Sequence, residues 1–372
     1  MRHGRVLRMS KIRAGIVGMG RIGRAHLDAL RRLPGVEVAA IAEEDAQTAG
    51  DAAARYGVPE GYGSYEEMIR VVDVVHNCTP GSLHTAVNLA AVSAGKHVYA
   101  EKPMAETYAD ALDVYRRAQA AGVLHDMNYQ YRMYPAVQEM AARVRRGDVG
   151  RVFLTGGWYR QQSGLYDTDY AGRVPGGLSW ALADIGTHWL DTARCVLGRR
   201  VERVCAAMET VHPLRAMPDG GSQAIRVDDL CSLLLMFEGG GQGAVTISKV
   251  SAGYQNALMF YVDGQHCSMH WEQEDPNRLC LGHKLKPNED LRLSAQLADP
   301  AVAASLPLPG GHPLGWYDAL CAAIGAFYAG VRGEIAPSSM RCANFADGAE
   351  DMAVVEAAVR SAASLRWEKV CY

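Results

Sequence analysis

The sequence predicts an α/β protein with a doubly wound parallel sheet, followed by an α+β region whose large open sheet is mainly antiparallel. Strand-like and helix-like segments alternate from residue 12 to about residue 130, as in parallel sheets with crossover helices. After Gly150, long alternating strands are joined by glycine-bearing turns. We therefore expect one domain over residues 10–130 and a substrate-binding and oligomerisation domain over 131–372, with terminal helices that can pack back on the first domain.

The first strand ends in a glycine-rich loop. A predicted buried strand, Arg13–Val17, precedes the loop Gly18–Gly23, and an amphipathic helix follows it. In this strand–loop–helix context the pattern G-x-G-x-x-G indicates dinucleotide binding. The glycines permit a tight turn, close approach of the pyrophosphate and packing of helix on strand, and the helix N-terminus favours phosphate. The predicted cofactor contacts in this loop are Gly18, Gly20, Arg21, Ile22 and Gly23.

An acidic residue after the second strand distinguishes between the two pyridine nucleotides. Val36–Ala42 is predicted to be that strand, and Glu43 follows it, 20 residues after Gly23. A carboxylate at this distance binds the ribose 2′-hydroxyl group of NAD. Glu44 and Asp45 come next, so a 2′-phosphate would meet three acids. We predict NAD rather than NADP; a nucleotide-free α/β domain is the alternative.

Three further predicted strands end at the same edge of the sheet, where ligands bind in such folds. Val71–Cys78 ends at Thr79-Pro80, and His84 begins the next predicted helix. Lys96–Ala100 ends at Glu101-Lys102-Pro103, and Val123–Asn128 is the fifth strand. Their positions make candidate cofactor contacts of Thr79, Pro80, His84, Glu101 and Lys102.

Lys102 is the first candidate for catalysis. A lysine at a strand end on the cofactor edge can hydrogen-bond a substrate hydroxyl group and stabilise negative charge on its oxygen. Pro103 makes the segment that carries it rigid. The alternative interpretation is an ordinary solvated lysine on the surface.

A second candidate cluster lies in a helix predicted over residues 183–197. Asp184, His188 and Asp191 are four and three residues apart, which would place all three on one helix face. Apolar residues such as Trp189 fall on another face, which can pack on the sheet. A histidine with an ordinary pKa near 6.5 can accept and return a proton at neutral pH. The alternative is a structural histidine flanked by acids on a solvated face.

Together these motifs resemble those of the Gfo/Idh/MocA oxidoreductase family, named after glucose–fructose oxidoreductase and inositol dehydrogenase. The resemblance covers nearly the whole chain and implies a Rossmann domain, a C-terminal domain with an open antiparallel sheet, and pyridine-nucleotide chemistry on sugars or cyclitols. It also implies homodimers or homotetramers packed through the open sheet, and a catalytic trio of Lys102, Asp184 and His188. The motifs that carry it are Gly18-x-Gly20-x-x-Gly23, Thr79-Pro80 with His84, Glu101-Lys102-Pro103 and Asp184-x-Gly186-x-His188-x-x-Asp191.

Two further stretches, Leu165–Tyr170 and Gly311–Tyr317, resemble a branch of dehydrogenases that oxidise C3 of sugars and glycosides such as levoglucosan. Sugars present C–H faces to aromatic rings and hydroxyl groups to polar side chains, so a mixture of both types is expected around the substrate. The alternative is that the tryptophans belong to the core. The predicted substrate contacts are Tyr129, Arg132, Trp158, Arg160, Gln161, Trp180, Asp184 and His188.

The expected reaction is reversible oxidation of a secondary alcohol on a pyranose or cyclitol ring. His188 would take the hydroxyl proton, and Lys102 would donate a hydrogen bond to the reacting oxygen. Asp184 would accept a hydrogen bond from a neighbouring ring hydroxyl group or orient the pair. Three alternatives remain open: an NADP-dependent ketosugar reductase, a glycoside-processing enzyme that recycles tightly bound NAD, and a nonenzymatic NAD-sensing regulator.

Composition limits the class of protein. The 372 residues carry a formal net charge of -3, so no broad basic field favours nucleic acid or an anionic membrane. No apolar run is long enough to span a bilayer, and no signal-peptide core follows the basic first residues. The nine cysteines are scattered, as in a reducing compartment. We therefore expect a cytoplasmic enzyme.

One group of residues has spacings that superficially resemble those of zinc ligands. The segments around residues 260–263 and 268–271 are predicted to form a hairpin. Residues four apart on a strand share a face but lie too far apart to chelate one ion without help. We therefore expect no metal at this group, which comprises His266, His270, Cys280 and His283.

Overall fold

The computed structural model describes residues 11–168, 177–217, 220–294, 298–303, 306, 308–336 and 342–372. Two large sheets dominate the fold, a parallel one built mainly from the first 130 residues and a mainly antiparallel one built from the rest. This confirms the predicted fold class. No helix in the described ranges is long and apolar enough to cross a bilayer.

The strands are β1 (Ile12–Val17), β2 (Val36–Ala42), β3 (Glu60–Tyr62), β4 (Val74–Asn77), β5 (His97–Ala100), β6 (His125–Met127), β7 (Val152–Arg160), β8 (Val201–Glu209), β9 (Leu214–Ala216), β10 (Ser222–Ala224), β11 (Leu230–Phe237), β12 (Gln242–Ser248), β13 (Ala257–Gly264), β14 (Ser268–Glu272), β15 (Arg278–Gly282), β16 (Glu289–Arg292), β17 (Ala343–Asn344) and β18 (Glu368–Lys369). The α-helices are α1 (Arg21–Arg31), α2 (Ala46–Tyr56), α3 (Tyr65–Ile69), α4 (Gly81–Ser93), α5 (Tyr108–Ala121), α6 (Pro135–Arg146), α7 (Thr187–Leu197), α8 (Pro300–Ala303), α9 (Trp316–Val331) and α10 (Phe345–Ser364). A 3₁₀ turn spans Gln130–Met133, and a π-turn spans Leu182–Gly186.

The parallel sheet has the strand order β17-β6-β5-β4-β1-β2-β3. All its neighbouring pairs run parallel except β17 with β6. Val17, Asn77 and Ala100 end β1, β4 and β5 in matching register. The glycine loop, the Thr79 segment and the Lys102 segment therefore emerge side by side at one edge, as the sequence predicts.

The helices between these strands begin and end where their sequences allow. The side chains of Asp45, Ser64 and Thr107 accept hydrogen bonds from backbone N–H groups in the first turns of α2, α3 and α5. Gly57 and Gly122 end α2 and α5 in the left-handed conformation, which costs a glycine little. The helix that contains His84 begins at Gly81, three residues before the predicted start.

The second sheet has the order β16-β15-β14-β13-β7-β12-β11-β8-β18. Its pairs are antiparallel except β7 with β12, which run parallel. The five strands predicted between residues 151 and 263 are confirmed as β7, β8, β11, β12 and β13, within a few residues. The stretch 272–312, whose conformation the sequence does not predict, contains β15 and β16, which extend the sheet.

Among the described residues, the two faces of the second sheet differ in burial along β11. Leu233 and Leu235 are buried, whereas the alternate residues Leu234 and Met236 are 51% and 37% exposed. The face that carries Leu233 packs toward the helices, and the opposite face is open at this strand.

The end of the chain returns to the first sheet. Helix α9 packs against α1, and α10 packs against both α5 and β8. Strand β17, which directly precedes α10, pairs with β6 at the edge of the parallel sheet. The C-terminal helices therefore hold the two sheets together.

Candidate active site

The glycine loop forms a cradle that fits a dinucleotide. Gly18 has φ +88°, and a Cβ there would lie 2.8 Å from the carbonyl oxygen of Cys78. A Cβ on Gly23 would collide with the carbonyl oxygen of Gly18, whereas one on Gly20 would meet no atom within 4 Å. No side chain caps the N-terminus of α1, so its first N–H groups remain available to a phosphate. Arg21 and Ile22 lie in the first turn of this helix.

Glu43 lies beside this loop, where it was predicted. One of its carboxylate oxygens accepts a hydrogen bond from the backbone N–H of Met19 at 2.5 Å. No described residue bonds the other oxygen, which is therefore available for a ribose hydroxyl group. Asp45, by contrast, is committed to Thr48 as the cap of α2.

His84 connects two of the predicted cofactor segments. One of its ring nitrogens bonds the carbonyl oxygen of Thr79 at 2.9 Å, and the other bonds that of Pro103 at 2.6 Å. The side chain is buried, so it holds the Thr79-Pro80 and Lys102-Pro103 segments in place rather than presenting a free nitrogen to a ligand.

The side chain of Glu101 also points into the protein. It bonds His26 of α1 at 3.2 Å and Asn128 after β6. Burial would raise the pKa of Glu101, but these partners and Lys102 lower it to about 2. Glu101 was predicted to contact the cofactor. Its carboxylate instead links α1 to the segment after β5, which continues into Lys102.

Lys102 and Asp184 meet although they are far apart in the sequence. The Lys102 ammonium donates to the carboxylate Oδ1 of Asp184 at 2.6 Å and to its backbone oxygen at 2.9 Å. The other carboxylate oxygen accepts from Lys249, which the sequence did not predict. Burial opposes both charges, but each is stabilised by the other. The pKa of Lys102 is raised, and the pKa of Asp184 is held well below its usual range.

The helix that carries Asp184 begins with a π-turn rather than an α-helical turn. This turn spans Leu182–Gly186, and α7 follows directly with His188 in its first turn. A Cβ on Gly186 would lie 3.2 Å from Ile247 of β12, so the glycine lets the turn approach the sheet closely. The altered winding separates Asp184 from Asp191, which the predicted regular helix had placed on one face.

His188 is held by aromatic packing. Its ring centroid lies 4.7 Å from that of Tyr131, 5.6 Å from that of Tyr129 and 6.2 Å from that of Tyr159. Burial, assisted by the positive charge of Lys102, lowers the pKa of His188 to about 3. The imidazole is therefore neutral near pH 7 and can accept a proton. Tyr129 thus lies against His188, and its predicted contact with substrate stays a prediction.

A hydrogen-bond network fixes two of the tyrosines beside His188. The hydroxyl groups of Tyr131 and Tyr159 are 2.8 Å apart, and Asn256 bonds both, at 2.8 and 2.7 Å. Gln161 donates to the same Asn256 oxygen at 2.7 Å. These hydrogen bonds connect the 3₁₀ turn, β7 and the start of β13. Gln161 therefore lies on the same side of the sheet as His188.

Arg132 does not face a substrate. Its guanidinium is ion-paired with Asp191 of α7 and with Asp347 of α10, and the Asp191 carboxylate is fully buried. Arg194 bonds Asp191 at 3.1 Å and Asp351 at 3.3 Å. The prediction that Arg132 binds a sugar is therefore wrong, because carboxylates from α7 and α10 hold its guanidinium between the helices.

Trp158 and Arg160 lie on the face of β7 opposite His188. Successive residues of a strand alternate in direction, and Tyr159 is the one that contacts His188. The Arg160 guanidinium instead stacks on Trp158, 4.9 Å from the ring centroid, and on Tyr254 at 5.4 Å. The two residues were predicted to contact substrate and are placed on the open face instead.

Trp180 lies beside the lysine–aspartate cluster. The ammonium of Lys249 is 4.5 Å from its ring centroid, and the guanidinium of Arg215 is 5.1 Å away. Arg215 is itself fully buried against Asp229 at 2.7 Å. The ring is thus held between two cations next to Asp184, which is compatible with the predicted contact to substrate.

Comparison with known proteins identifies the family of this chain. Residues 12–129 match an oxidoreductase family described by its NAD-binding Rossmann fold, and residues 137–270 match the GFO/IDH/MocA C-terminal domain. The chain belongs to this family. Its N-terminal domain is an NAD-binding Rossmann fold, and the protein is an NAD-dependent oxidoreductase.

Relatives within the Gfo/Idh/MocA family span the whole chain. A levoglucosan dehydrogenase of Pseudarthrobacter phenanthrenivorans is 27% identical over 97% of this chain and 99% of its own. A solved levoglucosan dehydrogenase in complex with NADH and L-sorbose has a TM-score of 0.86 at 25% identity, over 98% of this chain and 100% of that one. An NAD binding oxidoreductase from Klebsiella pneumoniae has a TM-score of 0.86 at 28% identity, with the same coverage.

The potential metal ligands do not form a cluster. His270 and Cys280 face each other on β14 and β15, but the Cys280 thiol bonds Asp290 at 2.8 Å. No group of three or more metal-ligating side chains occurs within the described ranges. Of the stretch Leu165–Tyr170 that resembles a sugar-oxidising branch, Asp169 and Tyr170 lie outside the described residues.

The residues near this site that were not predicted from the sequence include Tyr131 and Tyr159, which pack on His188, and the polar residues Lys249 and Asn256. Lys249 directly follows β12, two residues after Ile247, which faces the π-turn. The period of two along the strand could have placed Lys249 on that same face. No local pattern marks Asn256, because its role depends on residues from three distant elements.

Proposed function

We propose that this Gfo/Idh/MocA protein oxidises a secondary hydroxyl group on the ring of a sugar, glycoside or cyclitol. The observation that carries the proposal is the cluster of Lys102, Asp184 and neutral His188 at the sheet edge that also bears the glycine loop. The levoglucosan dehydrogenase relatives support this substrate class. The resemblance of the sequence to a C3-oxidising branch makes C3 the first position to test.

His188 serves as the proton acceptor. The neutral imidazole removes the hydroxyl proton while the hydrogen on the same carbon leaves as hydride. Bound NAD⁺ supplies the hydride acceptor. The product is a ketone, and in the reverse direction the protonated imidazole returns its proton to the carbonyl oxygen. Because the lowered pKa of His188 disfavours the imidazolium, the acquired proton leaves readily for solvent.

Lys102 stabilises the reacting oxygen. An ammonium group has three N–H donors, and Asp184 uses two of them, through Oδ1 and the backbone oxygen. Among the described residues no partner is bonded to the third donor. That donor can bind the substrate oxygen, on which negative charge develops as the proton leaves.

The proposal is tested with a panel of pyranoses, glycosides and cyclitols, each assayed with NAD⁺ and separately with NADP⁺. We expect reduction of NAD⁺ with at least one ring polyol, and product analysis then identifies the oxidised carbon. No turnover with any of them would contradict the proposal and favour a sensor. Turnover without added nucleotide, by protein that retains NAD through purification, would favour the recycling alternative.

The open face of the second sheet supports a proposal about assembly. Leu234 and Met236 are exposed on that face, and Trp158 lies on it as well. We propose that a second copy of the chain covers it, as a homodimer or within a homotetramer. Analytical ultracentrifugation should show the oligomer for the natural chain and dissociation for Leu234→Lys; a monomeric natural chain would contradict the proposal.

A further inference from the structure

Lys249 places a second ammonium on the catalytic carboxylate. Its Nζ donates to Oδ2 of Asp184, while Lys102 donates to Oδ1. Each carboxylate oxygen therefore has its own cationic partner. The side chain of Lys249 is only 5% exposed, which is rare for a lysine without a specific role.

The backbone around Lys249 is fixed on both sides. Its N–H donates to the carbonyl oxygen of Asp229 at 3.0 Å, and its own carbonyl oxygen accepts from Gly164 at 2.8 Å. Its ammonium also lies 4.5 Å from the ring centroid of Trp180, a contact that favours a cation. The lysine therefore reaches Asp184 from a rigid position at the end of β12.

The carboxylate of Asp184 belongs to a short π-turn, which provides less regular support than an α-helix. Lys102 comes from the other sheet, beyond the end of β5. A contact from Lys249 thus joins β12 of the second sheet, through Asp184, to the nucleotide-binding domain. Without it, rotation of the Asp184 side chain would displace the Lys102 ammonium that depends on it.

We propose that Lys249 is a positioning residue for the oxidation: it fixes the Asp184 carboxylate and, through it, directs the ammonium of Lys102 toward the substrate oxygen. This inference rests on the proposed function for its kinetic test. It assigns Lys249 no contact with the reacting atoms. Its effect on the rate follows from the accuracy that a hydrogen bond to the reacting oxygen requires, since misplacement by about 1 Å can reduce a rate about 100-fold.

The kinetic test compares Lys249→Met, which keeps most of the side-chain length and removes the charge, with Lys249→Arg, which keeps a cation at this position. We expect the Met variant to lower kcat about 10- to 100-fold with a smaller change in KM. We expect the Arg variant to recover most of the rate. The control is Lys286→Met, which removes an exposed ion pair with Glu289 far from the cluster and should leave both constants unchanged.

A second measurement does not depend on turnover. Competitive acylation of Lys102 across a pH series, read by peptide mass spectrometry, reports the environment of its ammonium. If Lys249 only added a like charge, its loss would raise the apparent pKa of Lys102. If it holds Asp184 against Lys102, its loss weakens the contact that raises the pKa of Lys102, so that pKa should fall in the Met variant and the reactivity at a given pH should rise. A rise in the pKa would count against the positioning role. The Arg variant should resemble the natural chain.

The outcomes of these experiments distinguish the proposed role of Lys249 from the proposed function. Unchanged kcat and unchanged Lys102 reactivity in Lys249→Met would overturn the role of Lys249. Equal losses in the Met and Arg variants would also overturn it, because the cation would then not be the decisive feature. If the natural chain oxidises none of the ring polyols, the proposed function fails, and the acylation measurement alone decides whether Lys249 positions Lys102.

Discussion

Two clusters of charged residues involve the π-turn and α7, and they differ in the balance of cations and carboxylates and in their role. The first joins Asp184 to Lys102 and Lys249, so cations outnumber carboxylates. The second joins Arg132 and Arg194 to Asp191, Asp347 and Asp351, so carboxylates outnumber cations. In the first cluster the side chains of Lys102 and Asp184 are partly exposed, whereas Asp191 and Asp351 of the second are buried.

Asp184 in the first cluster and Asp351 in the second have pKa values shifted in opposite directions. Two ammonium groups hold the pKa of Asp184 well below its usual range, against the effect of burial. Burial and neighbouring carboxylates raise the pKa of Asp351 well above its usual range, although Arg194 opposes them. The role of an aspartate therefore does not follow from its spacing along a helix. It depends on the elements that pack against it in the folded chain.

The largest effect is expected beside the first cluster, from His188→Asn. We expect this change to reduce kcat/KM about 10²- to 10⁴-fold because the proton acceptor is lost. NADH affinity and the free energy of unfolding should change little. Steady-state kinetics and NADH fluorescence titration provide the measurements. The matched control is His270→Asn on the outer face of β14, and near-normal turnover of the His188 variant would remove the residue from this role.

Asp191→Ala should act on stability instead. Removing Asp191 leaves Arg132 with Asp347 as its remaining carboxylate partner and takes one partner from Arg194, so it should cost up to about 3–5 kcal/mol in the free energy of unfolding. Urea denaturation measures the change. Asp113→Ala removes an exposed pair with Arg117 and should cost less than about 1 kcal/mol. A similar small loss in both variants would show that the second cluster contributes little to stability.

Glu43→Gln tests the nucleotide end of the cleft. A hydrogen bond to a charged group contributes roughly 1.5–3 kcal/mol, so loss of the carboxylate should weaken NAD binding at least about tenfold. Fluorescence titration with NADH is the measurement. Glu44→Gln, at the exposed neighbouring position, should change affinity less than about twofold. Equal loss of affinity in the two variants would indicate a general effect of negative charge near the nucleotide rather than a contact of Glu43 with the ribose.

The smallest expected effect distinguishes the two faces of β7. Trp158→Ala should leave kcat/KM within about threefold, because the residue lies on the face opposite His188. Gln161→Ala, on the His188 side, should lower it about tenfold through loss of the Asn256 contact. Activity should be measured at protein concentrations where the oligomer is intact. The reverse order of effects would mean that substrate enters from the open face.

Local features of the chain were predictable from the sequence, and long-range contacts were not. The glycine loop and Glu43 belong to one strand–helix–strand unit whose geometry follows from nearby residues. Lys102 and Asp184 were paired only through the family resemblance. Lys249 was missed because its contact with Asp184 crosses from β12 to the π-turn.

Two errors have different causes. Trp158 and Arg160 were assigned by composition, although the period of two could have separated them from Tyr159 and Gln161. Arg132 was assigned by its place after β6, and nothing local indicates that α10 supplies carboxylates to it from more than 200 residues away. The first error was avoidable from the sequence, and the second was not.

The short strand β17 has a consequence for the evolution of this protein. It covers the β6 edge of the nucleotide-binding sheet with residues from near the C-terminus. A gene segment that ended at residue 130 would encode a sheet with that edge exposed, and exposed edges promote aggregation. Truncation or recombination that separated the two halves would therefore remove the cover of this edge.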